Sequence, residues 1–200
     1  MTTLLFVAVA YLIGSLSFAV IVSRAMNLPD PRGFGSRNPG ATNVLRSGKK
    51  KAAALTLLGD ALKGWIAVML ARGLAPEFGV DQEVVLLCAL AVFIGHLYPV
   101  FFGFKGGKGV ATALGVLVGL DLWIGLACLA TWLAIAAVFR ISSLSALTTA
   151  LLAPVYTIAL MGWGDTAQTV LVISLLLVYR HKSNLLNLVS GKEGRIDKPT

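Results

Sequence analysis

The run VATALGVLVGLDLWIGLACLATWLAIAAVF, residues 110–139, decides how this chain is organised. Its only charged residue is Asp121, and at 30 residues it is awkward for one helix, because a bilayer core about 30 Å thick takes roughly 20 helical residues. Gly119-Leu120-Asp121 near its middle offers a turn, so the run divides into two short spans. Working outward, further apolar runs lie at 3–22, 52–71, 84–102, 144–161 and 168–179. Together these give seven transmembrane helices, an all-α polytopic membrane bundle with its N-terminus outside and its C-terminus cytoplasmic.

The charges test that count. With seven spans, every basic residue except Lys63 and Arg72 falls in a cytoplasmic segment, while Glu77, Asp81, Glu83, Asp121 and Asp165 fall outside. Reading 110–139 as one helix would send Arg180, Lys182, Lys192, Arg195 and Lys198 outside, against the positive-inside asymmetry. No basic residue precedes the first span, which therefore lacks the charged start of a signal peptide.

Composition agrees with a membrane protein. Of 200 residues, 57% are hydrophobic and only 13% charged, against about 25% charged in soluble domains. The net charge of +8 would point to nucleic acid in a soluble chain. Here it is confined to short connectors, so topology and small anions explain it and no nucleic-acid partner is expected. Cys88 and Cys128 lie inside apolar runs and read as small hydrophobes. His96 and His181 are far apart with no carboxylates clustered beside them, so neither a metal nor a cofactor is expected. No repeat or second domain is visible; residues 1–200 read as one membrane-embedded domain with a polar tail from about 190.

Three connectors carry the candidate chemistry. GFGSRNPGATNVLR, residues 33–46, is rich in glycine, amides and hydroxyls, allows tight turns with inward N–H groups, and brings the fork donors of Arg37 and Arg46. Thr42 or Asn43 is suited to cap a following helix. GHLYPVFFGFKGGKGVAT, residues 95–112, clears side chains at Gly106, Gly107 and Gly109 and supplies Lys105 and Lys108, a phosphate cradle that is not a Walker loop because Gly109 stands where Ser or Thr would follow Lys108. YRHKSNLLNLVSGKE, residues 179–193, sets His181 and Asn184 three apart on one helical face. Ser143 falls at the same side of the membrane. Solvated turns carrying topological charge would explain each connector alone. Together they suit two or more phosphate groups, as in an enzyme of phospholipid synthesis or an anion transporter. Asp60 and Lys63, inside the second span, are costly in lipid and should pair facing the bundle interior.

At these segments the sequence resembles the bacterial PlsY-type glycerol-3-phosphate acyltransferases. GSRNPGATNVLR, GHLYPVFFGFKGGKGVAT and RHKSNLLNLVSGKE look like that family's three signature motifs, in order and across essentially the whole chain. The departure is Arg37, where many relatives carry Gly or Asn. The resemblance implies transfer of a fatty acyl group from acyl phosphate to the sn-1 hydroxyl of glycerol 3-phosphate, giving lysophosphatidic acid and phosphate at the cytoplasmic face of the inner membrane. It implies no cofactor; the partners are the two small-molecule substrates and the bilayer. It implies catalytic roles for Ser36, Arg46, Lys105, His181 and Asn184, and substrate contacts from Thr42, Asn43, Gly106, Gly107, Lys108, Gly109 and Ser143. Glu193 is expected to support the fold. The base is expected to be either His181 or a substrate phosphate.

Overall fold

A computed structural model describes residues 1–196, so the last four residues of the polar tail lie outside the described residues. The chain divides into two compact units, Met1–Leu120 and the part that begins at Asp121. Among the described residues regular structure is helical.

The first unit holds α1 (Thr2–Gly14), α2 (Phe18–Ala25), α3 (Ala41–Leu45), α4 (Lys50–Leu74), α5 (Glu83–Leu97) and α6 (Val110–Leu120). Small residues let its helices approach backbone to backbone. A Cβ on Gly14 or Gly95 would meet the Val92 or Tyr11 carbonyl, tying α1 to α5, and a Cβ on Gly64 or Gly115 would meet the Thr112 or Ala61 carbonyl, tying α4 to α6. Such contacts replace the hydrophobic drive that helices lack in lipid. Phe93, Leu97, Val20, Val68, Val92 and Val116 fill the interior. A small satellite core of Ala19, Val44, Ala52 and Ala53 seats α2 and α3 on α4.

The second unit holds α7 (Leu122–Phe139), α8 (Ser142–Met161), α9 (Asp165–Arg180) and α10 (Lys182–Val189). Ile124, Cys128, Leu147, Val170, Ile173 and Leu177 are buried in it. Large apolar side chains such as Val138, Leu151 and Leu175 face outward, as suits a surface solvated by lipid.

The helix is interrupted where expected: α6 ends at Leu120 and α7 begins at Leu122. Asp121 caps α7, its Oδ1 accepting from the N–H groups of Trp123 at 2.9 Å and Ile124 at 3.0 Å. Arg72, one of the two cations outside the positive-inside pattern, donates at 2.8 Å to the Leu120 carbonyl and so satisfies the end of α6.

The first expected span needs correction. Instead of one helix over 3–22, α1 and α2 meet at a 45° bend across Ser15-Leu16-Ser17. Ser15 turns its hydroxyl back to the Tyr11 carbonyl at 2.9 Å, and the open turn leaves the Leu16 carbonyl to a side chain. Likewise α5 stops at Leu97, before Pro99, and a 3-10 turn Val100–Phe102 completes that run. Among the described residues, four helices are long and apolar enough to cross a membrane, or five if the bent pair counts as one span, and α6 is a shorter apolar helix.

Candidate active site

The first connector is folded around one buried amide. Asn43 Oδ1 accepts from the Ser36 N–H at 3.0 Å, and its Nδ2 donates to the carbonyls of Pro31 at 2.7 Å and Phe34 at 3.2 Å. This pins the turn containing Gly35 and Arg37, both at positive φ, and leaves Ser36 exposed at its tip. A Cβ on Gly35 would meet Asn43 Oδ1, so the loop and its amide pin specify each other. Arg46 follows α3 half-buried, close behind the same turn. The helix cap expected from Thr42 or Asn43 is not formed: the N-cap of α3 is Gly40, with no side-chain capping bond, because Asn43 is committed to the loop before it.

Upstream, Arg32 grips Asp30 through two nitrogens, Nε to Oδ1 at 3.0 Å and a terminal nitrogen to Oδ2 at 2.7 Å. The hydrogen bond from Arg32 holds the Asp30 carboxyl below its ordinary value. The Arg32 guanidinium also lies over the Phe102 ring, 5.6 Å from its centre, and thereby joins the first connector to the second.

The second connector turns sharply after α5. Gly103 and Phe104 both take positive φ, which delivers Lys105 to the surface. The chain then doubles back on the end of α5, where the Gly107 N–H donates to the His96 carbonyl at 3.2 Å. Gly106 and Gly107 are cramped positions. A Cβ on Gly106 would meet the His96 and Leu97 carbonyls, and one on Gly107 would meet His96 Nε2 and lie 3.2 Å from the Pro39 carbonyl of the first connector. Gly109 has φ +86° with the Phe93 ring against it, and α6 begins at the next residue. The two glycine-bearing connectors therefore sit side by side in the first unit, with Lys105, Lys108 and Arg46 around them. Glycine turns flanked by cations in this way suit phosphate oxygens.

The second unit gathers Ser143, His181, Asn184 and Glu193. His181 is the single residue between α9 and α10, and Asn184 lies in the first turn of α10. Buried His181 donates from Nδ1 to the Leu177 carbonyl at 2.8 Å, because a carbonyl can only accept. The Glu193 carboxylate bridges the other two, with Oε1 accepting from Ser143 Oγ at 2.7 Å and from Asn184 Nδ2 at 2.6 Å. Glu193, expected to support the fold, thus bridges two of the predicted site residues. The chain past Glu193 returns to the junction of α7 and α8, where the Ile196 N–H donates to the Arg140 carbonyl at 2.8 Å. Among the described residues no group of three or more His, Cys, Asp or Glu side chains comes together.

Sequence reasoning did not foresee that Asn43 would hold the loop that carries Ser36, or that His96 would press against the glycine turn. An amide in a glycine-rich loop, and a lone histidine ten residues before Gly106, were the available signals.

Residues 4–191 match the family described as Glycerol-3-phosphate acyltransferase. The chain is 76% identical to the glycerol-3-phosphate acyltransferase of Thiobacillus denitrificans, covering 99% of each chain. It is 59% identical to that of Chromobacterium violaceum, over 98% of this chain and 95% of the relative. Two solved structures are similar throughout. Both are crystal structures of PlsY, an integral membrane glycerol 3-phosphate acyltransferase. The glycerol 3-phosphate form is 38% identical with a TM-score of 0.89, over 98% of this chain and 96% of that one. The lysophosphatidic acid form is 37% identical with a TM-score of 0.87, over 98% and 95%.

Proposed function

The chain belongs to the glycerol-3-phosphate acyltransferase family, and from that premise we propose that it moves a fatty acyl group from an acyl phosphate to the sn-1 hydroxyl of glycerol 3-phosphate. The acceptor and an acylated product are those named for the two PlsY crystal forms. The observation that carries the donor assignment is the meeting of two glycine-bearing, cation-flanked connectors at Pro39 and Gly107. An acyl phosphate is a mixed anhydride with a good leaving group. Its transfer asks less for covalent activation than for holding two anions together and stabilising charge on the carbonyl and departing phosphate.

In this reading the glycerol hydroxyl attacks the acyl carbonyl carbon, the carbonyl–phosphate C–O bond breaks, and inorganic phosphate leaves. Lys105, Lys108 and the glycine turn at Gly106, Gly107 and Gly109 hold the acyl phosphate. Ser36, Thr42 and Arg46 meet phosphate and hydroxyl oxygens, with Asn43 fixing their loop. Ser143, His181 and Asn184 serve glycerol 3-phosphate. The hydroxyl proton goes to a phosphate dianion of the substrate, His181 binding rather than abstracting. The seven-span topology with its N-terminus outside, the single acyltransferase domain, and an active face toward the cytoplasm of a bacterial inner membrane belong to the same proposal. They rest on the charge asymmetry of the sequence and on the family match over residues 4–191.

The deciding experiment offers purified protein glycerol 3-phosphate with palmitoyl phosphate or palmitoyl-CoA and follows lysophosphatidic acid and phosphate. Product from the acyl phosphate alone, lost in Ser36→Ala and Lys105→Ala, supports the reading. Product only from the thioester overturns the donor, and none from either donor overturns the enzyme. His181→Ala should raise KM for glycerol 3-phosphate; a collapse of kcat at unchanged KM makes His181 the base instead.

A further inference from the structure

Inside the first unit lies a polar network that the proposed chemistry does not use. Asp60 and Lys63 on α4, His96 on α5 and Thr112 on α6 are 3%, 3%, 7% and 0% exposed. Lys63 Nζ is 2.8 Å from Asp60 Oδ1 and donates at 2.6 Å to the Leu16 carbonyl at the bend between α1 and α2. His96 Nδ1 is 3.6 Å from the same Asp60 oxygen and hydrogen-bonds Thr112 Oγ1 at 3.1 Å. The opposite edge of the imidazole faces the glycine turn, since a Cβ on Gly107 would meet His96 Nε2. The histidine's own carbonyl receives the Gly107 N–H. One residue therefore templates the turn with its ring and its backbone, and two other helices, α4 through Asp60 and α6 through Thr112, hold that residue from behind.

Two buried charges are an expensive way to fill a helix interface, because apolar residues of equal volume pack there without a desolvation penalty. What this pair does that apolar residues would not is fix the rotation of one imidazole. We propose that Asp60, Lys63 and Thr112 are positioning residues for the acyl donor, acting through His96 to set the shape of the turn at Gly106 and Gly107. The inference rests on the assignment of that turn to the donor phosphate.

Thr112→Val is isosteric and keeps the packing at α6 while removing the hydroxyl from His96; Thr112→Ser returns it. Loss of one such hydrogen bond converts to about a fivefold change. Thr112→Val should therefore raise KM for the acyl donor about fivefold and leave kcat within about twofold, with Thr112→Ser restoring the wild-type value. Asp60→Asn, which also disturbs Lys63, should exceed it at about tenfold; the Thr112 pair decides if Asp60→Asn does not fold. A folded Thr112→Val protein whose donor KM stays within twofold overturns the inference. So does an equal effect in the Val and Ser variants, or a fall in kcat with KM unmoved. Amide hydrogen exchange gives a second readout without turnover: exchange at residues 104–109 should quicken in Thr112→Val and not in Thr112→Ser, and equal exchange overturns the network's role. Failure of the donor assignment itself is distinct, because it shows in the wild-type protein before any variant is compared.

Discussion

Each of the two units carries a small bracket among its own candidate residues, and the brackets work differently. In the first, neutral Asn43 divides its amide among backbone groups of its own connector: one N–H at Ser36 and two carbonyls, at Pro31 and Phe34. In the second, Glu193 places a single charged oxygen between two side chains, Ser143 and Asn184, that lie 50 and nine residues away in sequence. An amide that both donates and accepts can close a loop on itself. A carboxylate only accepts, so it collects donors from separate elements. The first bracket therefore makes a shape and the second an aim.

If that contrast is right, Asn43→Leu has the largest effect. The isosteric side chain abandons three backbone groups near a buried position. The cost is about 3 kcal/mol of stability, read by thermal unfolding in detergent, with acyl transfer falling more than roughly 100-fold. Glu193→Gln should be gentler, since a neutral acceptor at the same place keeps about half the strength of each bond and the chain remains folded. A loss of about 1 kcal/mol and roughly tenfold in kcat/KM are expected. Equal destabilisation in the two variants would abolish the distinction between shape and aim.

Arg37 sharpens the first half of the comparison from the other side. Its φ of +55° suits glycine or asparagine better than arginine. Arg37→Gly should raise the melting temperature slightly, by relief of a left-handed strain of about 1–2 kcal/mol less the entropy glycine adds to the unfolded chain. A drop would mean that the guanidinium contributes more than the strain costs. The smallest effect belongs to Asp30. Its carboxyl is held below the ordinary value by Arg32, so the folded loop gains from that pair above the unfolded value near pH 4 and loses it as pH falls through the lowered one. Asp30→Asn should flatten this part of the acid unfolding curve and change little at neutral pH.

The contrast also separates what could be read from the sequence. The division of residues 110–139 was legible because Asp121 interrupts an apolar run just where a capping side chain is needed. The bend at Ser15-Leu16-Ser17 was not, since serines barely lower the hydropathy of a span and the partner of the opened Leu16 carbonyl, Lys63, lies 47 residues on. Among the candidate residues, Ser36, Lys105, His181 and Asn184 stood out as polar residues among glycines and apolar runs. Their supports did not, because the Asn43 bonds are made to backbone, which leaves no trace in residue identity. Glu193 was noticed as a support, but the two donors it serves follow from the packing of α8 against α10, which no local pattern encodes.

The charged pair on α4 carries a consequence for how the chain is made. A helix bearing Asp and Lys near its centre costs about 2.5–3.5 kcal/mol for each when it partitions alone from the translocon into lipid. Lys63 finds its backbone acceptor on Leu16, which is synthesised and threaded earlier. The opened turn between α1 and α2 is thus a waiting berth in the membrane: α4 inserts well only as the second arrival, and a nascent chain stripped of its first 25 residues should leave α4 lingering at the aqueous channel.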